Sequence, residues 1–158
     1  MLKKLLKLTV LATAFLFTGY RVNAQIFFTQ DFEGTNGPNG IPSGWSETGN
    51  STDGIYSVGN NITANTGGYW PVPAHTLFAM SNDDVCNCDK SVDRLILPAQ
   101  NFSAIGGVEL IADLYMDGKY GSTGFIDVST NGGTNWTTVY TMSNINGSWQ
   151  NNTTVNLS

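Results

Sequence analysis

Residues Gly124 to Tyr140, GFIDVSTNGGTNWTTVY, constrain the fold more than any other stretch of the chain. Two runs of strand-forming residues flank Asn131-Gly132-Gly133-Thr134-Asn135, and that connection supplies the positive φ angles a tight antiparallel hairpin needs. Val108, Leu110, Ala112, Leu114 and Met116 recur at alternate positions. This period, set beside such neighbours, favours a strand over a helix. Asp93 to Pro98 is a short apolar strand ended by proline, which has no N–H to give a ladder. Ile26 to Glu33 reads as a first strand, Thr76 to Met80 as another, and Trp149 to Ser158 as a strand opening. Between Trp45 and Pro73 the chain is Gly, Asn, Ser and Thr with scattered aromatics, the composition of short strands and long surface loops. The expected fold is all-β.

The two ends bound where such a fold resides. Lys3, Lys4 and Lys7 precede an apolar run from Leu8 to Phe17, and Val22-Asn23-Ala24 offers small residues for cleavage before Gln25. That order predicts a secretory signal peptide over residues 1–24 and a single exported domain over 25–158. The apolar run is short for a bilayer span, and no cysteine beside the cleavage point invites a lipid. Loss of the signal removes four of the 7 basic residues and none of the 12 acidic ones, leaving Lys90, Arg94 and Lys119 and a net charge of about −9. So acidic a chain lacks the clustered cations that displace counterions from nucleic acid. It suits a divalent cation or a neutral partner such as a sugar. The strand pattern runs to Ser158 without a closing element, and an open edge is a liability, so closing strands beyond this sequence are expected.

Four segments taken in order carry a family likeness: Asp31-Phe32-Glu33-Gly34, Ile41-Pro42-Ser43-Gly44-Trp45, Asp93-Arg94-Leu95-Ile96-Leu97-Pro98-Ala99, and Ile126-Asp127-Val128-Ser129-Thr130-Asn131-Gly132-Gly133-Thr134-Asn135-Trp136. Together they resemble the cleaved-adhesin and choice-of-anchor J domains, MAM-like jelly rolls of Bacteroidetes surface proteins. The resemblance implies a jelly-roll β-sandwich that binds or adheres, often with calcium, within long exported proteins, many of which leave through type IX secretion. The family's C-terminal sorting domain and its closing Trp-x-Ile-Asp-Asp-like run are not in this sequence.

Both cysteines and a run of acids share the stretch Ser81 to Asp93, SNDDVCNCDKSVD. Calcium takes about six to eight oxygen ligands, and Asn82, Asp83, Asp84, Asn87, Asp89, Ser91 and Asp93 offer them close together. The alternation Asn87, Asp89, Ser91, Asp93 echoes a calcium loop, yet it has neither the glycine nor the final glutamate of an EF-hand. A structural calcium held by Asn82, Asp83, Asp89 and Asp93 is expected, with Glu33 joining from the first strand as the resemblance implies. The competing reading is a solvated polar loop. Cys86 and Cys88 are too few for zinc and too close for a thioredoxin-type pair. In an exported chain they form a disulfide, either with each other or with cysteines beyond this sequence. The small ring is favoured, stiffening the loop while adding little global stability.

The remaining candidates concern ligands and catalysis. Tyr56, Tyr69, Trp70 and Tyr120 fall in loop-like contexts where a ring can stack on a sugar, although loop aromatics also cap cores. Trp45, Trp136 and Trp149 read as core or strand residues. His75 reads as a loop histidine with no nucleophile elbow to serve. Glu33, Glu47, Glu109, Asp113 and Asp127 are the acids available for glycoside hydrolysis, but sequence spacing shows no cleft. The expected function is a noncatalytic extracellular adhesion or carbohydrate/protein-binding module with a structural calcium, acting on a surface glycan or an extracellular protein. The rival is an accessory domain of a larger secreted hydrolase, a peptidase above all, and a third reading is a surface spacer.

Overall fold

A computed structural model describes residues 25–34, 40–51, 55–66, 68, 71–118, 121–142 and 147–158. The signal-peptide reading lies outside the described residues. Strands dominate, and the only described helices are two single turns, so the all-β expectation holds.

Among the described residues, eight strands pair into four antiparallel two-stranded ladders. The strand β1 (Ser46–Thr48) pairs with β4 (Arg94–Ile96), Glu47 opposite Leu95. The strand β2 (Ser57–Gly59) pairs with β3 (Phe78–Met80). Between these two, Asn60 caps the turn α1 (Asn61–Ala64), its Oδ1 accepting the N–H groups of Ile62 at 3.0 Å and Thr63 at 3.2 Å. The turn α2 (Asp83–Cys86) follows β3. The strand β5 (Glu109–Leu114) pairs with β8 (Gln150–Asn156), and Leu157 N–H extends that ladder to the Val108 carbonyl at 2.9 Å. The hairpin read from the sequence is present as β6 (Gly124–Val128) against β7 (Thr137–Met142), with Gly132 and Gly133 at φ of 69° and 84°. Both long ladders carry a register irregularity, after Ala112 and after Ile126.

Alternation along β5 sends Leu110, Ala112 and Leu114 inward while Glu109, Ile111 and Asp113 stay exposed. Met116 continues the inner side and reaches the hairpin: a Cβ on Gly124 would stand 3.6 Å from its Sδ, beside Met142. Tyr140 Oη lies 3.3 Å from Gln150 Oε1, joining β7 to β8. Among the described residues the buried apolar side chains are Ile41, Ala64, Phe78 and Val155.

One expected strand does not form. Residues 25–34 run without a ladder, and Phe32 takes a left-handed φ of 62°. Side chains capture the donors a ladder would use: Gln30 Oε1 accepts Phe32 N–H at 2.6 Å, and Asp31 Oδ1 accepts Glu33 N–H at 3.0 Å. The segment docks by its rings instead, Phe28 and Phe32 against Trp45 and Phe27 against Phe102. A jelly-roll strand order goes beyond what four separate ladders establish.

Candidate functional site

The acidic stretch folds around a small ring. Cys86, the last residue of α2, is joined to Cys88 by a disulfide with its Cα atoms 5.1 Å apart. Asn87 between them adopts φ of 49°, a left-handed conformation that asparagine tolerates better than most residues. Of the two pairings open in the sequence, the ring between neighbours is the one present.

Beyond the ring, Asp93 is an interior acceptor. Its side chain is 1% exposed. Ser51 Oγ donates to Oδ2, Asn50 N–H makes a long bond to Oδ1 at 3.4 Å, and Lys90 Nζ stands 3.8 Å from Oδ2. Ser51 Oγ also lies 3.4 Å from the Asp89 carbonyl, and Asp93 N–H bonds the Lys90 carbonyl at 3.0 Å. The loop before β4 is thereby clasped onto the chain leaving β1. Gly49 makes the approach possible, because a Cβ there would overlap the Asp93 carboxylate.

The other residues expected to hold calcium are engaged separately. Glu33 Oε1 accepts Leu77 N–H at 3.0 Å. Asn82 Nδ2 donates to the Ala64 carbonyl at 2.9 Å, tying the loop to α1. Asp83 is exposed on α2. Asp89 Oδ1 accepts Ser91 N–H at 2.8 Å, and the Ser91 hydroxyl and N–H hold its carboxyl below the ordinary value. Among the described residues no group of three or more His, Cys, Asp or Glu converges on one point. Among the described residues these five side chains are engaged separately rather than gathered at one point.

The proposed stacking aromatics divide in the same way. Tyr56 is packed rather than displayed: its N–H donates to Glu47 Oε1 at 2.7 Å, and burial, then the charges of Asp93 and Glu47, pushes its hydroxyl above the ordinary value. Tyr69, Trp70 and Tyr120 lie outside the described residues.

A second constellation was not legible as such. His75, read as a loop histidine, donates or accepts at both nitrogens: Nε2 stands 3.1 Å from Asp113 Oδ2 and Nδ1 3.1 Å from Thr76 Oγ1. Its ring lies against Trp149 with centroids 4.3 Å apart and the planes tilted by 37°. Trp149 also packs on Phe78 and Tyr115 and donates Nε1–H to the Pro73 carbonyl at 3.0 Å. Asp113 Oδ1 meanwhile accepts Asn152 N–H at 2.7 Å, at the irregularity of the β5–β8 ladder. No signal in the sequence pairs residues this far apart.

Three of the remaining acids hold structural donors, while Glu109 is exposed on β5. Arg94 Nη2 lies 3.2 Å from Asp127 Oδ2 with its guanidinium 5.3 Å over Trp136, and Thr138 Oγ1 donates to Asp127 Oδ1 at 2.7 Å. This knot joins β4 to the hairpin. Glu47 is occupied by Tyr56 and Asp113 by His75 and Asn152. Among the described residues no helix is long and apolar enough to cross a membrane.

Set against known proteins, the chain matches no family model, no curated protein and no solved structure. The class defined by the fold is therefore an antiparallel all-β protein with a disulfide-closed acidic loop.

Proposed function

We propose that the chain is a noncatalytic extracellular adhesion or binding module, a jelly-roll domain of the MAM-like kind exported by its first 24 residues, that takes carbohydrate or protein. The observation that carries this reading is a large apolar side chain exposed on each of the two long ladders. Ile111 is 63% and Phe125 57% exposed. Each stands opposite a threonine, Ile111 with Thr154 and Phe125 with Thr141. Exposed apolar side chains of this size are groups that a partner would remove from water. Burying one such side chain favours association by about 1.5–3 kcal/mol. Of the acids considered for hydrolysis, Glu47, Asp113 and Asp127 each accept hydrogen bonds from neighbouring elements.

The structural calcium expected from the sequence has no group of acids gathered for it among the described residues, and the proposal is made without it. Its test is a glycan array and a panel of extracellular proteins probed with the wild type and with Ile111→Asp and Phe125→Ser. Loss of a wild-type signal in variants with unchanged melting supports these two side chains as the contact. Wild-type binding that both variants retain removes it, and binding to nothing on either panel turns the reading toward a spacer.

A further inference from the structure

We infer that Lys90 supplies at Asp93 the positive charge that a bound cation would supply, so that the Asp89 to Arg94 loop is locked without metal. Three observations converge on this. The Asp93 side chain is 1% exposed, and an enclosed carboxylate is costly to keep from water unless an opposite charge and hydrogen-bond donors accompany it. The Lys90 side chain is itself only 12% exposed, and it brings its ammonium to 3.8 Å from Oδ2 from three residues earlier. The oxygens of Asp93 already face the Ser51 hydroxyl and the Asn50 N–H, donors that a metal ion would have to displace.

Composition sharpens the point. Beyond residue 24 the chain has three basic residues, and two of them, Lys90 and Arg94, stand on either side of Asp93. Arg94 is turned outward to Asp127 and Trp136, leaving Lys90, among the described residues, as the cation that faces the enclosed carboxylate. A calcium ion at Asp93 would place its two charges beside that ammonium, in surroundings that screen repulsion less than water does. The acidic density that suggests a calcium loop in the sequence is thus resolved by an internal ion pair. Asp83 and Asp89 remain at the surface.

The test is thermal melting of the exported chain in calcium and in excess chelator, for the wild type, Lys90→Met, Asp93→Asn and the double variant Lys90→Met/Asp93→Asn. The wild type is expected to melt at the same temperature in both. Lys90→Met is expected to melt several degrees lower, because one partner of an enclosed pair then stands uncompensated, and the double variant is expected to recover part of the loss. A calcium-dependent rise in the wild type that Asp93→Asn abolishes overturns the inference. So does a Lys90→Met protein that melts like the wild type. Should Lys90→Met fail to fold, a double variant that folds supports the pair, and one that fails equally overturns it.

Discussion

Gly49 and Asp93 approach so closely that a Cβ on Gly49 would stand 2.8 Å from Asp93 Cγ and 3.0 Å from its Cα. Alanine at a compatible glycine position usually stabilises, by about 0.4–1 kcal/mol, because it restricts the unfolded chain. Here the overlap decides the sign. The Asp93 carboxylate is held by Ser51, Asn50 and Lys90 and has nowhere to move without releasing them. We expect Gly49→Ala to cost about 1–3 kcal/mol, the range for overpacking a filled site, read as a Tm lower by several degrees. A variant as stable as the wild type would show that the clasp yields freely.

Tyr56 gives the clasp a pH signature. Burial, with the charges of Asp93 and Glu47, pushes its hydroxyl above the ordinary value of 10.0, so the folded chain holds that proton more tightly than the unfolded one. The associated stability is fully present below the ordinary tyrosine range and is lost as pH rises through the folded value. Wild-type Tm should therefore fall in alkali more steeply than that of Tyr56→Phe. Tyr115 is shifted the same way by burial and by Asp117, so the variant keeps a smaller slope. Parallel curves for the two proteins would contradict this assignment.

What was legible in the sequence is what lies close along the chain. The hairpin announced itself through Asn131-Gly132-Gly133, and β5 through the alternation of Leu110, Ala112 and Leu114, because both signals are complete within a dozen residues. The pairing of β1 with β4, or of β5 with β8, has no local cause and could not be read. Ile26 to Glu33 shows the converse failure. Its composition is that of a strand, but Gln30 and Asp31 spend their side chains on the backbone donors of Phe32 and Glu33, and propensity does not record that competition. In the acidic stretch the sequence displayed the carboxylates and concealed their partners. Asp93 resembled a surface ligand until Lys90, Ser51 and Gly49 were found around it.

The disulfide should matter locally. A ring joining residues two apart removes little freedom from the unfolded chain, about 1–2 kcal/mol by loop-entropy reasoning. Cys86→Ser/Cys88→Ser is expected to lose only a few degrees of Tm while becoming easier to cleave between Asp83 and Asp89 under limited proteolysis. A collapse of Tm, with no preferential cleavage there, would assign the ring a global role instead.

Trp149 is expected to be the costliest single loss among the described residues. It lies against His75, meets Phe78 and Tyr115, and holds the Pro73 carbonyl through Nε1–H, so it fastens the chain before β3 to the end of the β5–β8 ladder. Truncation to alanine removes ring contacts and hydrogen bond together, about 3–5 kcal/mol for a large aromatic. Phenylalanine keeps a ring against His75 and gives up the donor, about 1 kcal/mol for the bond. Urea unfolding should therefore rank wild type, Trp149→Phe and Trp149→Ala in that order, with the larger gap between the two variants. If phenylalanine were as damaging as alanine, the bond to Pro73 rather than the ring contacts would be what holds the segment. In that case Asp113→Asn, which weakens the grip on His75 while sparing Trp149, should scarcely add to the loss.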